Sequence, residues 1–166
     1  MPPRPLTQLT LALLKPDLAA NSVKVNKVFA HIQQNDFQIL KHKQLLWSKS
    51  DAEAFYGEHR GKFFFERLCG YMTSGHFHAL ILEKPNAITD WRALIGPTHP
   101  PRARINAPGT LRSLYGMTDT RNSFHGSDAV ETARNEIKFF FPEFDIEKWE
   151  QDQAKNSQHD HRSIKL

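Results

Sequence analysis

The sequence predicts an α+β fold, a ferredoxin-like split βαβ sandwich in which helices pack on a four-stranded antiparallel sheet. Three observations predict it. Apolar residues alternate as strands demand in three separate stretches, residues 9–13, 37–47 and 76–83. Helical periods of apolar residues follow them, around Val25 and Ile32, around Ile88 and Trp91, and at Val130, Ala133 and Ile137. The resulting order is strand, helix, strand, helices, strand, helix, loop, a short strand and helix, with no internal repeat and no second domain.

Residues 1–8 read as an extension, because residues 1–5 hold three prolines and one arginine. Between residues 9 and 13 both parities are apolar, which suits a strand covered on both faces, and Lys15-Pro16-Asp17 stops it. Asn21 or Ser22 caps a helix whose buried face is Val25, Val28, Phe29 and Ile32, ending near Asn35. Phe37, Ile39, Leu45 and Trp47 form the second strand, with Lys41 and Lys43 outward. Ser50-Asp51-Ala52-Glu53 reads as a capping box opening a helix with Phe55, Tyr56 and His59. A further helix is expected over residues 62–74, with Gly75 as its left-handed C-terminal residue. The third strand leads into a helix over residues 86–95 with Ile88, Trp91 and Leu94 inward, closed by Gly96. Four prolines make residues 97–109 a long loop. A short strand near Ser123 and Phe124 precedes a second box, Asp128-Ala129-Val130-Glu131, and the last helix, which Pro142 ends. Residues 9–149 are thus one domain, and the polar residues 150–166 a mobile tail.

Composition narrows the partners. At 166 residues, 39% hydrophobic and 24% charged, the chain can bury a core. Residues 6–14 are the longest uncharged apolar stretch near the start, nine residues where a membrane span needs about 20. Cys69 is the sole cysteine, which excludes an internal disulfide and a cysteine zinc cluster. A net charge of +4 and a pI of about 9.3 favour anionic partners, phosphate-bearing small molecules among them. Residues 1–17 lack both the apolar run of a secretory signal and the repeated arginines and serines of a strong transit peptide.

The chemistry concentrates in Asn122-Ser123-Phe124-His125-Gly126-Ser127-Asp128, where a histidine stands between a strand end and a glycine leading into a helix. Lys15, Arg60, Arg92 and Arg112 read singly as solvated charges and together as a polyphosphate site. No Walker A loop and no Gly-x-Gly-x-x-Gly is present, so side chains must hold the phosphates. His76 and His78 share a strand face, but without a third ligand nearby no metal site is assigned.

Lys15-Pro16-Asp17 after the first strand, Gly109-Thr110-Leu111-Arg112, and Asn122-x-x-His125-Gly126-Ser127-Asp128 before the last helix resemble the nucleoside diphosphate kinases over residues 9–144. The longer loop between Thr98 and Arg112, with Thr118-Asp119-Thr120-Arg121, is most similar to the type-6 branch of the divergent second group. The resemblance implies ping-pong transfer of the γ-phosphate of ATP to nucleoside diphosphates, with His125 as the phosphorylated nucleophile. It places Lys15 and Tyr56 at the sugar and transferring phosphate, Arg60, Arg92, Thr98 and Arg112 at the phosphates, Phe64 on the base and Asn122 at the sugar. Glu136 would fix the tautomer of His125. Mg²⁺ would be held mainly by nucleotide phosphates and water.

Asp119 departs from the pattern, standing where common members carry an apolar residue beside the base. The longer loop and the unrelated tail alter regions through which common members form hexamers, so the resemblance implies a homo-oligomer without fixing a hexamer. It also associates the chain with mitochondria, the cytoplasm remaining the alternative. Two other expectations stand beside catalysis. One is a low-activity nucleotide-binding or scaffold protein needing a protein partner; the other, weaker, is single-stranded nucleic-acid binding through basic charge and twelve phenylalanines.

Overall fold

Strand β1 (Gln8–Leu14) is apolar at both parities because it lies inside the sheet with a helical layer on each side. The computed structural model describes residues 6–116, 118 and 121–164, with side chains as far as residue 157. The elements after β1 are α1 (Pro16–Ala19), α2 (Ser22–Gln34), β2 (Gln38–Leu45), α3 (Lys49–Phe55), a 3₁₀ turn (Gly57–His59) and α4 (Phe65–Met72). There follow β3 (Phe77–Lys84), α5 (Ala87–Ile95), α6 (Pro100–Asn106), α7 (Leu111–Tyr115), β4 (Phe124–Gly126), α8 (Val130–Phe140) and α9 (Ile146–Ile164). The sheet order is β2-β3-β1-β4, antiparallel throughout, as the sequence predicts. No helix of the described residues is long and apolar enough to cross a membrane.

Side chains alternate across the sheet and divide the core in two. Leu9, Leu11 and Leu13 of β1 face α3, α4 and α8, meeting Met72, Ile137 and Phe140. Ala12 and Leu14 face the other way, against Val28 and Ile32 of α2 and Trp91 and Ile95 of α5.

Several boundaries differ from the sequence expectation. The first capping box is Ser48 with Asp51, not Ser50 with Glu53: Ser48 Oγ accepts from Asp51 N at 3.3 Å and Asp51 Oδ2 from Ser48 N at 3.0 Å. Helix α4 is shorter than residues 62–74. It ends at Thr73, whose φ is −97° and whose hydroxyl donates to Cys69 O at 2.9 Å, and Gly75 is not left-handed. The proline-rich segment is not a plain loop. Pro100 and Pro101 sit in the first turn of α6, where a missing N–H costs nothing, and Arg104 of that helix donates to Ser113 O and Gly116 O.

Helix α8 starts at Val130 behind Ala129 with no side-chain cap. Val130, expected on the inner face, is 64% exposed, and that face is Ala133, Ile137 and Phe140. The predicted mobile tail is helical from Ile146 to Ile164. Buried Ile146 anchors its start, Trp149 Nε1 donates to Glu83 Oε2 at 2.8 Å, and Arg134 pairs with Glu147 and Glu150. Glu150, Gln151, Gln153, Ala154 and Lys155, good helix formers, carry the helix through its middle turns.

The link from α5 to the phosphate-binding candidates turns on Gly96, with φ 83° and ψ −169°, a region open only to glycine. A Cβ there would meet Thr110 at 2.5 Å. Gly96→Ala is expected to destabilise the fold by about 2 kcal/mol, read as a fall in the denaturant midpoint at unchanged m-value.

Candidate functional site

The end of β1 and the whole of β4 lie side by side, with Leu13 opposite His125 and Leu14 opposite Phe124. Strand alternation then sends Phe124 into the layer with α5 and turns His125 toward α8. His125 Nε2 is 2.8 Å from Glu136 Oε2, the two side chains being 26% and 12% exposed. Ser127, two residues on and so on the same side, donates from Oγ to Glu136 Oε1 at 2.6 Å and accepts from Leu11 N at 3.2 Å. Both carboxylate oxygens of Glu136 are thereby held, and with them the imidazole. Sequence reasoning gave Ser127 no role, although its spacing from His125 carried the signal.

Entry into β4 is strained. Ser123 is fully buried with φ 73°, unusual for a residue other than glycine. Its hydroxyl donates to Asp17 Oδ2 at 2.6 Å and its carbonyl accepts from Lys15 N at 2.8 Å. The Tyr71 hydroxyl donates to Asp17 Oδ1. Burial, then the neighbouring Asp17 carboxylate, hold that phenol well above its usual range. Asp17 is thus the clasp that fixes the chain before the histidine.

A cleft of about 830 Å³ opens beside His125, and Tyr56, Arg92, Thr98, Arg112 and Glu136 line it. Arg112 is buried; its Nη1 donates to Gly96 O at 2.6 Å and its Nη2 to Phe124 O at 3.1 Å. Its Nε is buried and has no hydrogen-bond partner among the described residues. Burial, then the proximity of Arg92, push Arg112 down to about 10. Two guanidinium groups near enough for their charges to repel favour a multiply charged anion.

Lys15 and Asn122 stand together outside the cleft lining. Buried Lys15 Nζ donates to Asn122 Oδ1 at 3.2 Å and lies 5.8 Å from the Tyr71 ring centroid. Burial, then the Arg112 charge, push Lys15 down to about 7, with Asp17 pulling the other way. Tyr56 is raised above the normal phenol range, chiefly by burial.

The structure does not bring Arg60 into the cleft. It lies 3.9 Å from Glu53 and over the Phe65 ring, because Gly61 turns the chain between it and Phe64. The cation beside Phe64 is Lys62, 5.7 Å from the ring centroid, and His59 packs on the other contact at 5.3 Å. In the Phe63-Phe64-Phe65 run, Phe65 enters the core, Phe63 is 88% exposed, and Phe64 is half-buried against His59, outside the residues that line the cleft. His59, Asp128 and Asn135, to which the sequence reading gave no part in binding or catalysis, line the cleft. Asp119 lies outside the described residues. His76 precedes β3, so it does not share a strand face with His78, which instead meets His42 of β2 at 2.8 Å.

The geometry has counterparts. A family model described as nucleoside diphosphate kinase matches residues 8–146. The chain is 53% identical over 146 residues to nucleoside diphosphate kinase 6 of Xenopus tropicalis, covering 88% of this chain and 81% of the relative. To the protein of that name from Danio rerio it is 51% identical over 142 residues, covering 86% and 81%. A crystal structure of the Aquifex aeolicus nucleoside diphosphate kinase superposes with a TM-score of 0.78 at 36% identity, over 81% of this chain and 95% of that one.

Proposed function

From the fact that the chain belongs to the nucleoside diphosphate kinase family, in its type-6 branch, we propose that it transfers the γ-phosphoryl group of ATP to other nucleoside diphosphates through a phosphohistidine at His125. The observation that carries this reading is the 2.8 Å contact of His125 Nε2 with Glu136 on the wall of a cleft that also holds Arg92 and Arg112.

With its Nε2–H donated to Glu136, the neutral ring keeps a lone pair at Nδ1. That lone pair forms the N–P bond while the bond from the γ-phosphorus to the bridging oxygen breaks, and ADP leaves with the electron pair. The positive charge left on the ring is opposed by the Glu136 carboxylate. In the second half-reaction a terminal oxygen of the acceptor diphosphate attacks phosphorus and Nδ1 departs with its pair. Arg92, Thr98 and Arg112 hold the phosphates; Lys15 and Asn122, outside the cleft lining but with Lys15 near enough to Arg112 for their charges to repel, are assigned to the sugar and the transferring group. Phe64, flanked by Lys62, stacks on the base without reading its edge.

No group of three or more His, Cys, Asp or Glu side chains able to cage a metal occurs among the described residues. The carboxylates on the cleft wall besides Glu136 are those of Glu58 and Asp128. This donor set fits Mg²⁺ that arrives on the nucleotide phosphates, where it supplies charge neutralisation.

The test is incubation of the purified protein with ATP. An acid-labile, base-stable mass increase of one phosphate supports the reading; its absence in folded protein rejects it in favour of a nucleotide-binding scaffold. Glu136→Gln is expected to slow phosphorylation by about 10²-fold while nucleotide affinity stays within about twofold, measured by single-turnover kinetics and calorimetry.

A further inference from the structure

We propose that Trp91 is a positioning residue for the phosphoryl-accepting imidazole, acting through the main chain of β4; this rests on the reading of His125 given above. Strand β4 has three residues and pairs only with β1, so its own ladder holds it weakly. Side chains from the α5 side supply the rest. Arg112 donates to Phe124 O, and Trp91 Nε1 donates to His125 O at 3.0 Å.

The indole cannot swing away. Trp91 is fully buried, with edge contacts to Phe37 at 5.9 Å and to Phe124 at 6.3 Å between ring centroids. It also lies against the chain just past the nucleophile, where a Cβ on Gly126 would meet indole Cδ1 at 2.6 Å. Gly126 is the residue that allows the approach.

The neighbour of Trp91 on α5 is Arg92, which lines the cleft. One short helix therefore carries, at consecutive positions, a cation for the phosphates and the donor that anchors the histidine. Their common mounting sets the distance between bound phosphate and imidazole, and a misplacement of about 1 Å between reacting groups costs as much as 10²-fold in rate. A sequence reading assigns Trp91 to the core by its helical spacing alone; its hydrogen bond is visible only in three dimensions.

Trp91→Phe keeps an aromatic ring and removes the N–H. Phosphorylation of His125 by ATP is expected to slow by about tenfold, with ATP affinity within about twofold of wild type. Phosphorylation by phosphoramidate, a donor that uses no nucleotide site, should keep its rate. An unchanged ATP rate overturns the proposal, and so does a parallel loss of affinity and of phosphoramidate reactivity, which marks a merely structural residue. A second arm needs no ATP. In wild-type protein phosphorylated by phosphoramidate, the indole ¹⁵N–¹H resonance of Trp91 should move while those of Trp47 and Trp149 stay. If ATP fails to phosphorylate wild type, the reading of the function falls, and the resonance still decides the role of Trp91: a stationary signal overturns it.

Discussion

His125→Gln is expected to abolish phosphate incorporation from ATP, with a fall in nucleoside diphosphate phosphorylation of at least about 10⁴-fold, because glutamine offers no basic nitrogen to attack phosphorus. Binding should survive. The cations proposed for the phosphates are Arg92 on α5, Arg112 on α7 and Lys15 after β1, and Arg112 and Lys15 are held by main-chain carbonyls and by Asn122, not by the imidazole. Glutamine can still donate its amide to Glu136, so the buried carboxylate keeps a partner in place of the contact at 2.8 Å. The unfolding midpoint should accordingly move by no more than about 1 kcal/mol of stability. The decisive comparison sets wild type and variant side by side under intact-protein mass spectrometry, nucleotide calorimetry and thermal unfolding. Phosphate retained on the variant would place the nucleophile elsewhere.

The elements legible in the sequence are those whose pattern and packing agree. Both parities of β1 are apolar because helices cover both faces, and the stripe on α2 with its Asn21 cap appears as read, Asn21 Oδ1 accepting from Val23 N and Lys24 N. The motif around His125 likewise marks its own site, since adjacent residues share a strand and need no long-range information to lie together. What stayed hidden depends on contacts between distant segments. Arg60 reads in the sequence as a phosphate ligand, and only the fold shows it beside Glu53 and over Phe65, with Lys62 by Phe64. Prolines that looked like loop punctuation became the first turn of α6 once Arg104 tied that helix to the carbonyls of α7 and its end. The polar C-terminal segment lacks an apolar stripe to announce a helix, yet Trp149 and the Arg134 bridges fix its first turns. Asp17 shows the same limit from the other side: its place in the motif is plain, whereas its hold on Ser123 and Tyr71 joins residues 106 and 54 positions apart.

Nucleotide affinity should fall steeply above pH 7, and Lys15 is the reason. In the free protein burial and Arg112 bring its ammonium down to about 7, so at neutral pH it is charged about half the time. A polyphosphate brings negative charge to the site and favours the ammonium form, so the complex holds a proton that the free protein has lost. The sign follows: above pH 7 binding takes up a proton, and affinity declines by up to tenfold per pH unit. If the complex restores Lys15 toward the ordinary value of about 10.4, the loss between pH 7 and pH 9 is about 50-fold. Calorimetry at pH 8 in buffers of different ionisation enthalpy should find close to one proton taken up per nucleotide, and Lys15→Met should find none. Folding shifts the other way. The unfolded chain keeps the Lys15 proton up to about pH 10.4 while the native state sheds it near 7, so this group makes the free protein more stable as pH rises between those values, by up to about 1.4 kcal/mol per unit. The difference between wild type and Lys15→Met across that window isolates the effect from every other titrating group. Opposite slopes for binding and for stability are the signature of one buried ammonium whose charge is costly in the empty site and compensated by bound phosphate; parallel or flat slopes would refute it.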